Sequence, residues 1–283
     1  MHIICCVKQV PDTTQVKIDP ATNTLVRTGV ESICNPYDLV AAEAAVQLVE
    51  KYGGKVTVIS MGPPQAESVL RECLALGAHE AILLSDRAFG GADTLATSYT
   101  LSQAISRIAA KDPVHLVICG KQAVDGDTGQ TGPGIATRLG FNQFTYVSEI
   151  MGVDPERNTI TVKREIEGGA EVIEGKLPAL LTAELELSTI RYASLPELVR
   201  SLRQTVRVWG AKELGGLPER LGLKGSPTSV KEIFAPPVRG GGLVFDSGQN
   251  SERVVKDFLD TFFEKEKRLL DGLLTKDGHA QEH

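Results

Sequence analysis

A glycine-rich loop is the part of the sequence with the clearest chemical potential. It extends from Gly120 to Gly132, between a short apolar run and a helix-forming segment that begins near Pro133. Free backbone N–H groups and the helix dipole favour a phosphate at such a position. Glycines let the backbone approach a ligand closely, and hydroxyl and amide side chains add hydrogen-bond donors. The candidate binding residues are Asp125, Gly126, Asp127, Thr128, Gly129, Gln130, Thr131 and Gly132.

The motif content of this loop leaves two interpretations open. The loop has neither the GK[ST] ending of a P-loop nor the glycine spacing of a dinucleotide-binding fingerprint. From the residues alone, a nucleotide-binding loop and an ordinary glycine-rich turn are equally good interpretations. Asp125 and Asp127 argue against simple anion binding unless they contact a ribose or cap the helix.

A second loop, between Phe89 and Thr97, has a related pattern. Gly90 and Gly91 are followed by Asp93, which is a good helix-capping residue. Taken alone, this pattern favours helix capping over ligand binding. Two helix starts at the same edge of one sheet would, however, suit a dinucleotide or two neighbouring nucleotides.

Other chemistries have little support in the sequence. It contains no GxSxG motif and no Ser/His/Asp arrangement, so hydrolysis is not indicated. The cysteines form no CxxC pair, and the adjacent Cys5 and Cys6 point to opposite faces of a strand, so they fit small buried hydrophobes in a reducing compartment. His279 and His283 lie in a polar tail, where flexibility is a better interpretation than metal binding. Any redox chemistry would therefore have to come from a bound cofactor, and no metal site is predicted.

The overall composition predicts a globular cytoplasmic protein. The chain has 283 residues, of which 42% are hydrophobic and 23% charged, enough for one large α/β domain with appendages or two small domains. A net charge of −6 suggests neither nucleic acid nor an anionic membrane as a partner. The first seven residues resemble a buried strand more than a signal peptide, and no apolar run reaches membrane-spanning length.

The first 140 residues alternate short apolar strands with helices. This alternation predicts a doubly wound α/β fold, in which helices cover both faces of a parallel sheet and ligands bind outside the carboxyl ends of the strands. The first helix has Asn35 as its N-cap and Pro36 at its first position. The predicted strands are Ile3–Val7, Val56–Met61, Ala81–Leu84 and Leu116–Cys119, and the later helices are Glu67–Leu76, 92–110 and 133–139.

The pattern changes after residue 140, which predicts a division into three regions. Antiparallel strands are expected at Phe144–Ile150 and Thr159–Ile166, followed by Ala170–Ile173 and Ala179–Thr182, so residues 1–185 form an α/β domain with a β extension. Residues 186–240 have little periodicity and are expected to form an irregular arm. Residues 241–283 comprise a linker and an amphipathic helix over Ser251–Leu274.

Several blocks of the sequence together resemble the electron transfer flavoprotein beta subunits. The segment from Val162 to Thr182, VKREIEGGAEVIEGKLPALLT, is similar to the signature segment of that family. The similar blocks keep the family order, cover nearly the whole chain to about residue 240, and are specific only jointly. The other blocks are Val7–Val10, Asn35–Tyr37, Gly120–Ala123, Gln130–Gly132 and Arg191–Pro196.

The resemblance implies an adenine-nucleotide-binding fold that works in a heterodimer. The alpha subunit would carry an electron-shuttling FAD, and the C-terminal helix would dock on that subunit. In the housekeeping branch of the family, the beta subunit holds AMP in a structural role. In the electron-bifurcating branch, it holds the ADP end of a second FAD, whose flavin accepts hydride from NADH. The glycine-rich loop would bind the nucleotide together with Cys6, Asn35, Tyr37, Asp38 and Met61.

Three features of the resemblance favour the bifurcating branch. The glycines of residues 125–129 are one, and the absence of a lysine run after the Leu195 loop is another, since Arg200, Arg203 and Arg207 stand there. The third feature is the set of residues that would border NADH and FAD: Gly90, Gly91, Ala92, Asp93, Thr94 and Thr97.

Bifurcation implies ferredoxin or flavodoxin as one electron acceptor and an acyl-CoA dehydrogenase-like flavoenzyme as the other.

Two alternatives remain at this point. One is a housekeeping subunit that binds only AMP, and the other is a stand-alone nucleotide-binding domain, which would be a stable monomer. Leu195 also has two interpretations of equal weight. It matches the partner-recognition leucine of the family, and it begins an apolar run that would pack on its own domain: Leu195, Leu198, Val199 and Leu202.

Overall fold

A nine-stranded sheet is the main element of the residues that the computed structural model describes, namely 1–12, 17–19, 24–26, 32–229, 243–245 and 251–265. The chain divides into two units, Met1–Ile233 and Phe234–His283, and the sheet lies in the first. In chain order, the strands are β1 (His2–Cys6), β2 (Gln9–Pro11), β3 (Lys17–Asp19), β4 (Thr24–Val26), β5 (Ser32–Cys34), β6 (Lys55–Met61), β7 (Glu80–Leu84), β8 (Leu116–Gly120), β9 (Asn142–Asp154), β10 (Thr159–Ile166), β11 (Gly169–Lys176), β12 (Ala179–Ala183) and β13 (Val206–Trp209).

The central part of the sheet is parallel and buried. The strand order is β11-β10-β9-β12-β8-β1-β6-β7-β13, and the pairs from β9 to β13 are parallel. Every residue of β1, β8 and β12 is buried. Continuous apolar runs are typical of parallel strands because helices cover both faces. Outside this sheet, β2 pairs with β5 and β3 pairs with β4.

Helices cover both faces of the sheet, which confirms the predicted doubly wound fold. The helices α1 and α2 pack with Cys5 in one apolar cluster, and α3 and α4 pack with Cys6 in a second cluster on the opposite face. The two neighbouring cysteines therefore point in opposite directions, as predicted. The helices are α1 (Pro36–Tyr52), α2 (Glu67–Leu76), α3 (Thr94–Ala109), α4 (Thr131–Leu139), α5 (Leu195–Arg203), α6 (Ala211–Leu214) and α7 (Ser251–Lys265).

An antiparallel extension lengthens one side of the sheet. Strands β9, β10 and β11 form the predicted antiparallel hairpins, and β9 is longer than expected. The chain then returns through β12, which lies parallel between β9 and β8. The position of β12 inside the parallel sheet explains why all five of its residues are buried.

The segment after residue 185 contains more regular structure than the sequence suggested. It forms α5 and α6, and between them β13 joins the sheet as a parallel edge strand beside β7. These elements are four to nine residues long. Elements this short carry too little periodicity to be recognised with confidence from the sequence pattern.

The second unit contains the predicted C-terminal amphipathic helix. The helix α7 begins at Ser251 as expected and is described to Lys265; the rest of the predicted helix, His279 and His283 lie outside the described residues. The ring of Phe258 lies 5.6 Å from that of Phe245 and 5.9 Å from that of Phe262. Among the described helices, none combines the length and the apolar character needed to cross a bilayer.

Candidate nucleotide-binding crevice

The topology opens a crevice between the carboxyl ends of β1 and β8. From β1 the chain moves outward to β6 and β7, and α3 then carries it back to β8 on the other side of β1. Connections therefore leave these two neighbouring strands in opposite directions, which is where doubly wound sheets bind ligands. Cys6 ends β1 and Gly120 ends β8, so the sequence-predicted glycine-rich loop starts at this crevice.

Asp38 connects the two loops that leave the crevice strands. Its carboxylate accepts hydrogen bonds from the backbone nitrogens of Lys8 and Gly120, each at 2.8 Å. The side chain is buried, and burial raises its pKa from 3.8 to about 7 against the opposing effect of these hydrogen bonds. Asp38 therefore acts on the crevice through the backbone that it holds.

Asn35 fixes the first half of the glycine-rich loop. Its side-chain nitrogen donates to the carbonyl oxygen of Gln122 at 2.8 Å, and its side-chain oxygen accepts from the backbone nitrogen of Val124 at 3.2 Å. The side chain is fully buried. Asn35 and Asp38 are thus brought together with the loop, and both contact its backbone.

The second half of the loop projects into solvent. Residues 125–128 are exposed, and Gly129 is half-buried with a φ of +62°. Lys8 pairs with the carboxylate of Asp125 at 2.6 Å, and the side-chain nitrogen of Gln122 donates to Asp127 at 2.9 Å. The charge of Asp125 is therefore offset by Lys8, whereas Asp127 accepts from a neutral amide and keeps its charge at the exposed tip of the loop.

The glycine-rich loop ends in a helix whose first turn has free amides. No side chain among the described residues caps α4, so the amides of its first turn are available to a ligand. Gly132 lets this helix approach the sheet: a Cβ there would lie 2.7 Å from Cγ2 of Thr182 and 2.9 Å from Sγ of Cys119. The arrangement is suited to an anionic group at the helix start.

The structure brings the two predicted loops together. The hydroxyl of Thr94, at the start of α3, donates to the side-chain oxygen of Gln130 at the start of α4, at 2.9 Å. The helices α3 and α4 pack side by side, and Gly134 allows close contact with Ser98. Two helix N-termini therefore lie at one edge of the sheet.

Asp93 caps α3, as its sequence position predicted. One carboxylate oxygen accepts from the backbone nitrogens of Leu95 and Ala96, at 2.9 and 3.0 Å. Thr97, another predicted residue, donates its backbone nitrogen to the carbonyl of Asp93 at 2.9 Å and so belongs to the same helical turn. Partial burial opposes ionisation of Asp93, but its hydrogen bonds outweigh this effect and lower its pKa.

A cleft of about 580 Å³ lies beside the crevice, at the carboxyl ends of β6 and β7. Met61 forms one part of its wall, and the second loop forms another through Gly90, Gly91 and Ala92. A cleft of this size lies within the range of small-ligand sites. Met61 and the second loop are thus placed together, and β1 lies between their strands and β8, which leads into the glycine-rich loop.

The contacts of Lys121 beside the crevice were not predicted. Lys121 Nζ lies 5.3 Å from the ring centre of Tyr37, 5.7 Å from that of Tyr146 and 3.0 Å from a carboxylate oxygen of Glu184. Burial lowers the pKa of Lys121, but the pairing with Glu184 outweighs it and raises the pKa. One signal for this residue was present in the sequence, since Lys121 belongs to the block Gly120–Ala123. The ring of Tyr37 therefore contacts the glycine-rich loop at the side chain of Lys121.

The helix α5 presents an apolar side to solvent. Leu195 is 74% exposed and Leu202 is 71% exposed, and Leu198 and Val199 are also exposed. The structure therefore contradicts the interpretation in which this apolar run packs on its own domain. The inner side of α5 is polar and packs on α2.

Two arginines join α5 to α2 by reciprocal hydrogen bonds. Arg71 of α2 donates to the carbonyl of Ser201 at 2.6 Å, and Arg200 of α5 donates to the carbonyl of Leu74 at 2.8 Å. Each arginine thereby satisfies carbonyl groups near the end of the other helix. This polar contact leaves the apolar side of α5 without a partner within the described residues of the first unit.

Arg191 fixes the segment that leads into α5. Its guanidinium contacts Glu43, which is 1% exposed, at 2.9 Å, and Glu50 at 2.6 Å. Both acids belong to α1, whose first turn carries Asp38. One helix therefore supports the crevice at its start and the exposed apolar helix further along.

The described residues contain no disulfide and no cluster of metal-ligating side chains. All five cysteines are free and buried, and no group of three or more His, Cys, Asp or Glu side chains within the described ranges is placed to hold a metal ion.

Comparison with known proteins identifies the family. Residues 22–209 match the electron transfer flavoprotein domain, and the chain belongs to the electron transfer flavoprotein family. Proteins of this family carry flavin, and their beta subunit pairs with an alpha subunit.

The most similar relatives place the chain with the beta subunits of this family. It is 49% identical to the "Electron transfer flavoprotein subunit beta" of Clostridium acetobutylicum over 87% of this chain and 92% of that protein. It is 50% identical to "Protein FixA" of Azotobacter vinelandii, over 84% of this chain and 85% of that protein. It is also 50% identical to the "Caffeyl-CoA reductase-Etf complex subunit CarD" of Acetobacterium woodii, over 86% of this chain and 90% of that protein. The resemblance to beta subunits is thereby confirmed.

Proposed function

We propose that this chain is the beta subunit of an electron-bifurcating electron transfer flavoprotein, which binds one FAD in the crevice and NADH in the adjacent cleft. The observation that carries the proposal is the contact between Thr94 and Gln130, which joins two glycine-rich loops and two helix N-termini into one site. A single mononucleotide needs only one such loop. Two adjoining loops suit two nucleotides or one dinucleotide with a second ligand beside it.

The residues of the crevice fit the ADP part of FAD. The uncapped first turn of α4, with Thr131 and Gly132, would hold the pyrophosphate, because its amides lack intrahelical acceptors. Gly129, with its positive φ, would let the backbone approach the phosphates. Asp125 and Asp127 lie on the exposed part of the loop, where a ribose hydroxyl would find carboxylate acceptors.

The cleft fits a second nucleotide. Its lining combines backbone from Gly90, Gly91 and Ala92 with the side chains of Met61 and Phe89, which suits a ligand with both polar and flat apolar parts. Arg87 also lines the cleft and supplies a cation for a phosphate. NADH has both chemical features.

The contribution of this chain to the reaction is binding, orientation and exclusion of water. A flavin supplies the hydride-accepting and one-electron chemistry when it is bound. Asp38 and Asn35 keep the loops at the distance that the nucleotide requires, and they do so from buried positions that water does not reach. The electrons would pass to ferredoxin or flavodoxin and, through the alpha-subunit FAD, to an acyl-CoA dehydrogenase-like flavoenzyme in the cytoplasm.

Two exposed apolar surfaces support the proposed partners. The exposed side of α5, with Leu195 at its start, would contact the flavoenzyme. The apolar side of α7, which carries Phe258 and Phe262, would dock on the alpha subunit. Exposed apolar residues in such clusters mark interaction surfaces.

Counting the nucleotides of the purified heterodimer tests the proposal. Acid extraction and chromatography should release two FAD molecules and no AMP per heterodimer, and NADH should reduce ferredoxin in the presence of the flavoenzyme partner. One FAD and one AMP, with no NADH-driven reduction of ferredoxin, would instead assign this chain to the housekeeping branch. The family assignment does not depend on this result.

A further inference from the structure

Residues 221–228 pass over the second loop and are bonded to it. We call these residues the strap. The backbone nitrogen of Leu223 donates to the carbonyl of Gly90 at 3.0 Å, and the hydroxyl of Ser226 accepts from the backbone nitrogen of Asp93 at 2.8 Å. The strap therefore contacts the loop at both ends of the turn that lines the cleft.

The carboxylate of Asp93 is shared between the helix and the strap. One oxygen caps α3, and the other accepts hydrogen bonds from the hydroxyl of Thr228 at 2.9 Å and from the backbone nitrogen of Thr228 at 3.2 Å. A hydrogen bond between a hydroxyl and a carboxylate is stronger than one between neutral groups. Thr228 therefore holds the same side chain that sets the start of α3.

Two glycines show how closely the strap and the loop are packed. Gly222 has a φ of +52°, and a Cβ there would lie 2.2 Å from the carbonyl oxygen of Ala88. Gly91 has a φ of +69°, and a Cβ there would lie 3.4 Å from Cβ of Leu223. Backbone packs on backbone at this contact, so a displacement of the strap changes the space available to the loop.

We propose that the strap positions the second loop for the nucleotide in the cleft, with Thr228 as the positioning residue. This inference rests on the proposed function of the cleft. The residues that line the cleft come from the strand ends and loops after β6 and β7, so the strap acts on the ligand only through the loop. Because Thr94 also reaches Gln130, an ordered second loop supports the neighbouring crevice as well.

The coupling must act in both directions. If the bonded strap favours the loop conformation that binds nucleotide, a bound nucleotide stabilises the bonded strap to the same extent. The nucleotide should therefore protect the amides of residues 223–228, although these residues do not line the cleft. A purely structural contact elsewhere in the fold would not respond in this way.

The test compares Thr228→Val with the wild-type heterodimer. Valine keeps the shape and the backbone nitrogen of threonine but removes the hydroxyl donor to Asp93. Thr161→Val on β10 is the matched control, because it makes the same change in the antiparallel extension. Hydrogen exchange of residues 91–96 and 223–228 is measured with and without NADH in heterodimer whose flavins are already reduced, so that NADH binds without transferring hydride, and NADH affinity is measured by titration of the same reduced protein.

We expect Thr228→Val to speed amide exchange in residues 91–96 by about 3–10-fold and to weaken NADH binding by a similar factor, since one net hydrogen bond contributes about 0.5–1.5 kcal/mol. Thr161→Val should change neither. NADH should slow exchange in residues 223–228 of the wild type.

Unchanged exchange in residues 91–96 would overturn the proposal, and so would unchanged NADH affinity despite faster exchange. If the wild type binds no NADH, the proposed function of the cleft fails and the role of the strap in nucleotide binding falls with it, while faster exchange in residues 91–96 would still mark the mechanical link as real.

Discussion

Asp38 and Gly120 are 82 residues apart in the sequence, yet Oδ1 of Asp38 lies 2.8 Å from the backbone nitrogen of Gly120. A Cβ on Gly120 would lie 2.5 Å from the same oxygen, so the contact requires glycine at this position. The bond joins the first turn of α1 to the start of the glycine-rich loop. A buried carboxylate thus sets the width of the crevice at the end of β8.

We expect this buried carboxylate to make stability depend on pH. Burial raises the pKa of Asp38 from 3.8 to about 7. Between these two values the folded chain binds more protons than the unfolded chain, so the contribution of Asp38 to the free energy of unfolding falls as pH rises from about 4 to about 7. It should then level off, because Asp38 is ionised in both states above its folded pKa.

Urea unfolding of wild type and Asp38→Asn across this pH range isolates the effect in the heterodimer. Asparagine does not titrate, so the wild type should lose stability relative to Asp38→Asn as pH rises. Where Asp38 is ionised, its two oxygens accept the bonds of Lys8 and Gly120, whereas the amide of Asp38→Asn has one acceptor oxygen. A constant difference between the two proteins at every pH would show that Asp38 does not titrate in this window.

Gly129→Val should remove the nucleotide from the crevice. Gly129 has a φ of +62°, which costs a branched side chain about 1–3 kcal/mol, and the side chain would stand where the backbone approaches the phosphates. Gly152→Ala on β9 is the control, because Gly152 lies outside the loop, has no neighbour within 4 Å of a Cβ and has no positive φ. Chromatography of released nucleotides should show one nucleotide fewer per heterodimer in Gly129→Val alone. Full retention in Gly129→Val would remove the loop from the binding site.

Much of the central fold could be predicted because its strands and helices have strong local signals. The helix Glu67–Leu76 and the strand Thr159–Ile166 have the predicted bounds. Asn35 and Pro36 start α1 as expected, although Asn35 uses its side chain on the loop instead of on the helix. The sequence can indicate a helix start, but it does not show which of two available partners a polar side chain chooses.

The contacts that complete the site could not be predicted because they join distant parts of the chain. Thr228 lies 135 residues from Asp93, and no local pattern marks it as a partner. The exposure of α5 is a similar case. The spacing of its apolar residues is the same for a helix that packs inward and for one that faces outward, and only the arginine contacts to α2 decide between them.

Leu195→Ala should impair transfer to the flavoenzyme partner without destabilising the subunit. Leu195 is 74% exposed, so truncation leaves no cavity in the described fold and should change the melting temperature little. An apolar residue that fills a partner pocket can contribute about 2 kcal/mol or more to an interface. Leu217→Ala, another exposed leucine outside α5, is the control.

Steady-state assays with the flavoenzyme partner and with an artificial dye check this prediction. Leu195→Ala should raise the concentration of partner needed for half-maximal transfer by about tenfold or more, since 1.4 kcal/mol corresponds to a factor of ten. NADH oxidation with the dye should stay unchanged. A loss of both activities, or a fall in melting temperature, would mean that Leu195 supports the fold.

The isolated subunit should self-associate through the apolar side of α7. Val255, Phe258, Leu259 and Phe262 of this helix are all exposed, and a cluster of this kind needs a cover. Sedimentation of the isolated chain should therefore show oligomers that disappear when an alpha subunit is co-expressed. Phe258→Ser should reduce self-association and also weaken heterodimer formation, because both would use the same side of the helix. Lys256→Ser, a change to the polar side, should affect neither. A monomeric wild-type chain with a cooperative melt would show that α7 needs no partner.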